Sequence, residues 1–121
     1  MKFTKFSDTN PPRLEKNLTG SIISGAPVQH SQLMYAGHDG AIKSGIWEST
    51  AGVFTATMTD LVEFCHVLEG SASIKTSDGN TYQVAAGDAF VMEAGLETEW
   101  TVNTYIKKHF VITATQKLGA A

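Results

Sequence analysis

Cysteine is nearly absent from this chain of 121 residues: Cys65 is the single one, so no disulfide can close within it. One lone thiol suits a reducing compartment, and a cytoplasmic location is the expectation. Arginine is equally scarce, with Arg13 alone. Net charge is −3 with nine lysines and arginines together, and the basic residues are scattered apart from the pair Lys107 and Lys108. Nucleic-acid binders carry a basic stripe with arginine forks, so nucleic acid is not an expected partner. No apolar run approaches the roughly 18 residues that suggest a membrane span. The segment Met1–Ser7 has no continuous apolar stretch of the kind a secretory signal needs. Neither a membrane partner nor a leader is expected.

Helical periodicity is missing as well. After residue 20 no 3.6-residue repeat persists for three turns. What the chain has instead is an ordinary globular balance, 42% hydrophobic and 17% charged, in a length typical of one domain. Such a domain buries enough surface to fold without a disulfide or a structural metal.

Residues 1 to 20 read as an irregular lead-in, since Asn10-Pro11-Pro12 blocks regular structure. From Ser21 onward short β-branched or aromatic runs alternate with turn signals. The expected strands are 31–36, 42–48, 53–59, 61–68, 71–76, 81–84, 89–93, 98–102 and 105–114. Turns are expected at Gly37-His38-Asp39-Gly40, Ser49-Thr50-Ala51-Gly52, Glu69-Gly70 and Asn103-Thr104. Asp78-Gly79 is a hairpin signal. Many short, evenly spaced strands mean an all-β sandwich or closed barrel over residues 21–121.

Two stretches go further. Glu63-Phe64-Cys65-His66-Val67-Leu68-Glu69-Gly70 and Gly87-Asp88-Ala89-Phe90-Val91-Met92-Glu93-Ala94-Gly95 resemble the two signature motifs of the cupin superfamily, G-x5-H-x-H-x3,4-E-x6-G and G-x5-P-x-G-x2-H-x3-N. Glu63 stands where the first motif has its glutamate, and Gly87 and Gly95 keep the spacing of the second. Gly45-Ile46-Trp47-Glu48, Trp100 and Lys107-Lys108 look like the small single-domain cupins related to ureidoglycine aminohydrolase and the ethanolamine-utilisation cupin. The resemblance covers roughly residues 40 to 113. It implies an RmlC-like double-stranded β-helix, a jelly-roll barrel that commonly dimerises.

The departures from those motifs bear on function. Thr57-Met58-Thr59 falls where the two histidines of the first motif belong. The histidine of the second motif falls on Thr98 and its proline on Glu93. Only Glu63 remains of the four ligands that the resemblance implies. One carboxylate with threonine hydroxyls is a weak, hard donor set for a transition ion, so neither a metal nor another cofactor is expected.

Strand alternation then assigns an interior. With Glu63 pointing inward, Cys65 and Val67 follow, while Phe64, His66 and Leu68 point outward. Thr57 and Thr59 are expected to face in on the preceding strand, Thr98, Trp100 and Val102 on the later one, and Phe90 and Met92 beside them. The expected pocket is therefore Thr57, Thr59, Glu63, Cys65, Phe90, Met92, Thr98, Trp100 and Lys108, an apolar wall with a few polar groups. Periodicity alone leaves Lys107 and Lys108 open; the pattern of the resembled family favours Lys108. Glu63 is the candidate ligand anchor or general base, with Lys108 as its cation, against a purely structural buried pair. Trp47 reads as core, Cys65 as an inert buried thiol, and His30, His38 and His109 form no metal spacing.

Three functions compete in this order. The first is a cupin binding a small polar metabolite, bearing nitrogen in one version, around Glu63. The second is an enzyme resembling ureidoglycine aminohydrolase, hydrolysing or isomerising a small C–N compound by acid–base work of Glu63 and a lysine. The third is a structural or regulatory module with the barrel filled by Phe90, Met92 and Trp100. The mostly apolar outward face of Phe64, His66 and Leu68 calls for a cover, either the N-terminal segment or a second subunit. A homodimer is the expected assembly, with residues 1–20 able to pair across it.

Overall fold

The computed structural model describes residues 1–118, with strands over most of that length. A 3-10 turn at Phe6–Asp8 precedes β1 (Leu14–Glu15), β2 (Ile22–Gly25), β3 (Gln29–Gly37) and β4 (Ile42–Thr57). Then come β5 (Leu61–Thr76), β6 (Thr81–Ala85), β7 (Ala89–Met92), β8 (Glu97–Ala114) and a short α1 (Thr115–Leu118).

Three long strands build the barrel. β4, β5 and β8 span 16, 16 and 18 residues, and each passes from one face of the molecule to the other. Their outer halves give one face in the order β1-β3-β4-β8-β5-β7, and their other halves give a second face, β2-β4-β8-β5-β6. Every one of these pairings is antiparallel. The two faces close on each other as a jelly roll, which spares a sheet most of its open edges.

The strands differ from the sequence expectation at the corners. Ser49–Gly52, Glu69–Gly70 and Asn103–Thr104 are not chain reversals. They are points where a continuous strand bends, marked by register shifts between Thr50 and Gly52, Val67 and Glu69, and Gly70 and Ser73. Glycine and small polar residues interrupt alternation equally at a turn and at a bulge, so composition does not separate the two. Gly70 shows what a corner demands. Its φ is +75°, and a Cβ there would lie 1.9 Å from the Tyr105 carbonyl oxygen. The turns at His38–Gly40 and at Asp78-Gly79 form as expected. His38 and Asp39 take positive φ, and Thr76 N–H donates to the Asn80 carbonyl across the hairpin.

The lead-in is more ordered than its composition suggests. β1 pairs with Ser31 and His30 of β3, and the Lys16 N–H donates to the Gln29 carbonyl. Ahead of it the chain lies on the outer face. Phe6 meets the His109 ring edge-on at 5.4 Å, the Gln32 side chain donates to the Pro11 carbonyl, and Arg13 pairs with Glu48. This cover reaches the His109 end only. Phe64 stays 44% exposed, with Val91 and Val111 as its exposed partners in register. Between the faces lies a core of Trp47, Phe54, Val67, Ile74, Trp100, Val102 and Ile106.

Candidate functional site

Alternation along β5 turns Glu63, Cys65 and Val67 inward, all buried. On β8 the even-numbered residues from Thr98 to Phe110 are inward with one exception at the corner, Thr104, which brings Lys108 inside and leaves Lys107 half-buried. The three polar side chains then converge. Lys108 Nζ donates to Glu63 Oε2 at 2.7 Å and to Cys65 Sγ at 3.2 Å. Cys65 Sγ donates in turn to the same Glu63 Oε2 at 3.1 Å. The ammonium also lies 4.6 Å from the ring centroid of Trp47 and 4.9 Å from that of Trp100. A cation between two indole faces keeps part of the stabilisation it loses with its water.

The charge states follow from this packing. Burial works to pull the Lys108 pKa down, but the Glu63 carboxylate and the Cys65 sulfur, through charge and hydrogen bonds, hold it above its ordinary value. Burial pushes the Cys65 thiol up to about 12; Glu63 adds to the rise and Lys108 opposes it. Cys65 is therefore a protonated donor at neutral pH and no nucleophile.

The pair stands in the wall of a cavity of about 600 Å³ that Trp47, Phe54, Met58, Trp100 and Phe110 also line. Leu14, Glu15 and Lys16, all exposed, form part of its rim. Gln29 belongs to the same wall, 2% exposed. Its Oε1 accepts from Trp47 Nε1 at 3.2 Å, and its Nε2 is a buried donor with no partner among the described residues. Trp47 itself is both core and wall, packed edge-on to Trp100 at 5.6 Å.

Several expected pocket residues lie elsewhere. Thr57 and Thr59 point outward and are exposed; Phe54, Ala56 and Met58 take the inward positions. The cause is the bulge after Thr50. One extra residue there exchanges the inward and outward positions for the rest of β4. Thr57 still touches the cavity rim, whereas Thr59 does not reach it. Cys65 sits behind Glu63 and Lys108 rather than on the cavity surface. Phe90 and Thr98 line a separate depression of about 580 Å³ with Asp78, Tyr82 and Glu93, and Met92 borders both. Thr98 is occupied there, donating to the Ala56 carbonyl and accepting from Trp100 Nε1. Sequence reasoning missed Gln29, Phe54, Met58 and Phe110. The first three lie on strands whose phase a bulge resets or whose partner was unknown.

The metal ion that the full cupin motifs would hold does not fit these residues. Met58 presents a thioether where an imidazole would be needed, and Glu63 Oε2 already holds an ammonium. Among the described residues no three of His, Cys, Asp or Glu converge on a common point.

Comparison with known proteins agrees with this architecture. The family model described as the EutQ-like cupin domain matches residues 36–110. Ethanolamine utilization protein Q of Salmonella typhimurium superposes with a TM-score of 0.63 at 22% identity, over 72% of this chain and 70% of that one. The EutQ protein of Clostridium difficile gives 0.65 at 16% identity, over 79% and 69%. A DUF861 family protein of Thermotoga maritima is 34% identical over 54% of this chain and 73% of its own, with a TM-score of 0.51. No curated protein matches the chain.

Proposed function

This chain belongs to the EutQ-like cupin family, and we propose that its barrel binds a small polar molecule without a metal, with Glu63 and Lys108 as the anchoring pair. The observation that carries the reading is the place of that pair: a buried ion pair in the wall of a ligand-sized cavity between two indole rings. Burying two charges costs several kcal/mol per ion, and a well-packed apolar pair would serve stability as well or better. A pair retained beside open cavity space supports a role toward a ligand. Cys65 and Lys108 both bond the carboxylate through Oε2, so Oε1 can accept from a ligand. The cavity also weighs against a barrel filled by Phe90, Met92 and Trp100.

Acid–base catalysis on a small C–N compound is the second reading. The separation of 2.7 Å between Lys108 Nζ and Glu63 Oε2 favours it, because it sets a second ionisable group beside the carboxylate.

Tryptophan emission tests the binding reading, because the chain's two tryptophans are both in the cavity wall. A panel of neutral, anionic and cationic polar compounds is titrated into wild type and a Glu63→Leu/Lys108→Met double variant. Saturable emission changes in the wild type alone are expected. Silence in the wild type, or equal responses in both proteins, refutes the reading.

The exposed apolar row of Val91, Phe64 and Val111 supports a homodimer joined through this face. Light scattering after size exclusion should give twice the chain mass, reduced to the monomer by Phe64→Lys. A monomeric wild type at all concentrations rejects this assembly.

A further inference from the structure

Gln29 has one polar atom too many for its surroundings. Trp47 Nε1 is a donor only, so the carboxamide atom that faces it at 3.2 Å must be the oxygen. That fixes Nε2 as the atom left over, buried and without a partner among the described residues. A buried donor left unpaired costs about 1–3 kcal/mol, so such atoms in native proteins have a reason. Gln29 lines the cavity, and a group that accepts a hydrogen bond there recovers the loss.

The charges of the same cavity add a second restriction. Its charged lining residues are Glu63, Lys108, Glu15 and Lys16, two of each sign. The inner two are already paired at 2.7 Å, and the outer two lie at the exposed rim. A ligand with a net charge would lose its water in the inner cavity and find the two charges there already spent on each other.

Resting on the binding function proposed above, we infer that the ligand is uncharged and carries a carbonyl oxygen that accepts from Gln29 Nε2. Its class is a small amide, with an N–H or O–H for Glu63 Oε1. Nε2 is occluded until the ligand arrives, so entry includes a turn of the carboxamide about its soft terminal torsion.

The experiment uses lactamide as probe, with lactate as its charged counterpart and propane-1,2-diol as the analogue lacking the carbonyl. Tryptophan emission is followed in wild type and Gln29→Met, together with the side-chain 15N–H2 signals of selectively labelled glutamine in the wild type. The Gln29 pair is assigned by its loss in Gln29→Glu. Expected results are lactamide binding at least tenfold tighter than either analogue, weakened at least tenfold in Gln29→Met, with the Gln29 15N–H2 pair displaced. Lactate or propanediol binding as tightly as lactamide overturns the inference and leaves the binding function standing. An undisplaced Gln29 signal with lactamide bound does the same, since the donor is then satisfied by trapped water. The 15N result decides even where Gln29→Met does not fold. No response to any of the three compounds, with other polar compounds bound, again removes only the amide class. No response to any compound removes both.

Discussion

Removing the Lys108 side-chain charge alone should do more damage than removing the charges of both partners together. In Lys108→Met a chain of nearly equal length fills the space between Trp47 and Trp100, so little packing is lost. The Glu63 carboxylate, 7% exposed, is left with the Cys65 thiol and the cavity as its only relief. Breaking a buried pair in this way costs about 3–5 kcal/mol. For a domain of this length that corresponds to a fall in Tm of roughly 9–25 °C, at about 3–5 °C per kcal/mol. In Glu63→Leu/Lys108→Met neither charge remains to be desolvated, and stability should equal the wild type or exceed it by about 1–4 kcal/mol. Urea unfolding followed by tryptophan emission measures both, with an unchanged m value confirming that the same surface unfolds. A single variant costing under about 1 kcal/mol would show that the pair is solvated. A double variant as unstable as the single would show that the pair holds the fold together, and the argument for a ligand role would lose its basis.

Two other outcomes follow from separate features. The Cys65 thiol has a folded pKa of about 12 against an ordinary 9.0. The unfolded chain therefore loses this proton first, and the stability contributed by Cys65 is fully present below pH 9 and lost as pH rises toward the folded value. Wild type should fall more steeply than Cys65→Ala above pH 9, the difference in slope averaging about 1.1 kcal/mol per pH unit between pH 9 and 10.5; parallel curves in urea melts would contradict the burial argument. At the barrel corner, Gly70→Ala places a methyl 1.9 Å from the Tyr105 carbonyl oxygen and should cost more than about 3 kcal/mol. Gly79→Ala, with φ +88° and open space around it, should cost only about 1–2 kcal/mol. Equal losses by thermal melting would mean that the backbone angle alone matters at both positions.

The fold was legible because its signals are local. Alternating runs bounded by Asp78-Gly79 and Gly37–Gly40 mark strands and hairpins without reference to distant residues, and the spacing of Glu63, Gly70, Gly87 and Gly95 adds a family resemblance. Along β5 no irregularity intervenes between Glu63 and Val67, so the inward set there could be read directly. The lining of the cavity was less accessible. Thr57 and Thr59 are expected inside because they fall where the resembled motif has its histidines, whereas the bulge after Thr50 gives the inward positions to Phe54, Ala56 and Met58. Phe90 and Thr98 do face inward or bury, but Trp100 stands between them and the cavity around Glu63, and only the packing of large side chains decides on which side of that ring a residue lies. Gln29 carries no local signal at all. Its position depends on β3 pairing with β4, and its unpaired nitrogen depends on where one indole N–H points.

The extra residue in β4 governs more than the local bend. Before it, odd-numbered positions such as Trp47 answer to the interior; after it, even-numbered ones such as Phe54 and Met58 do. The two halves of a single strand thus obey opposite parities, joined at Ala51. Loss of that one residue would leave the composition almost untouched and yet exchange wall for surface along Phe54–Met58, setting threonines toward Trp100 and an aromatic ring toward water. The number of residues at this corner therefore decides which side chains line the cavity and which meet water.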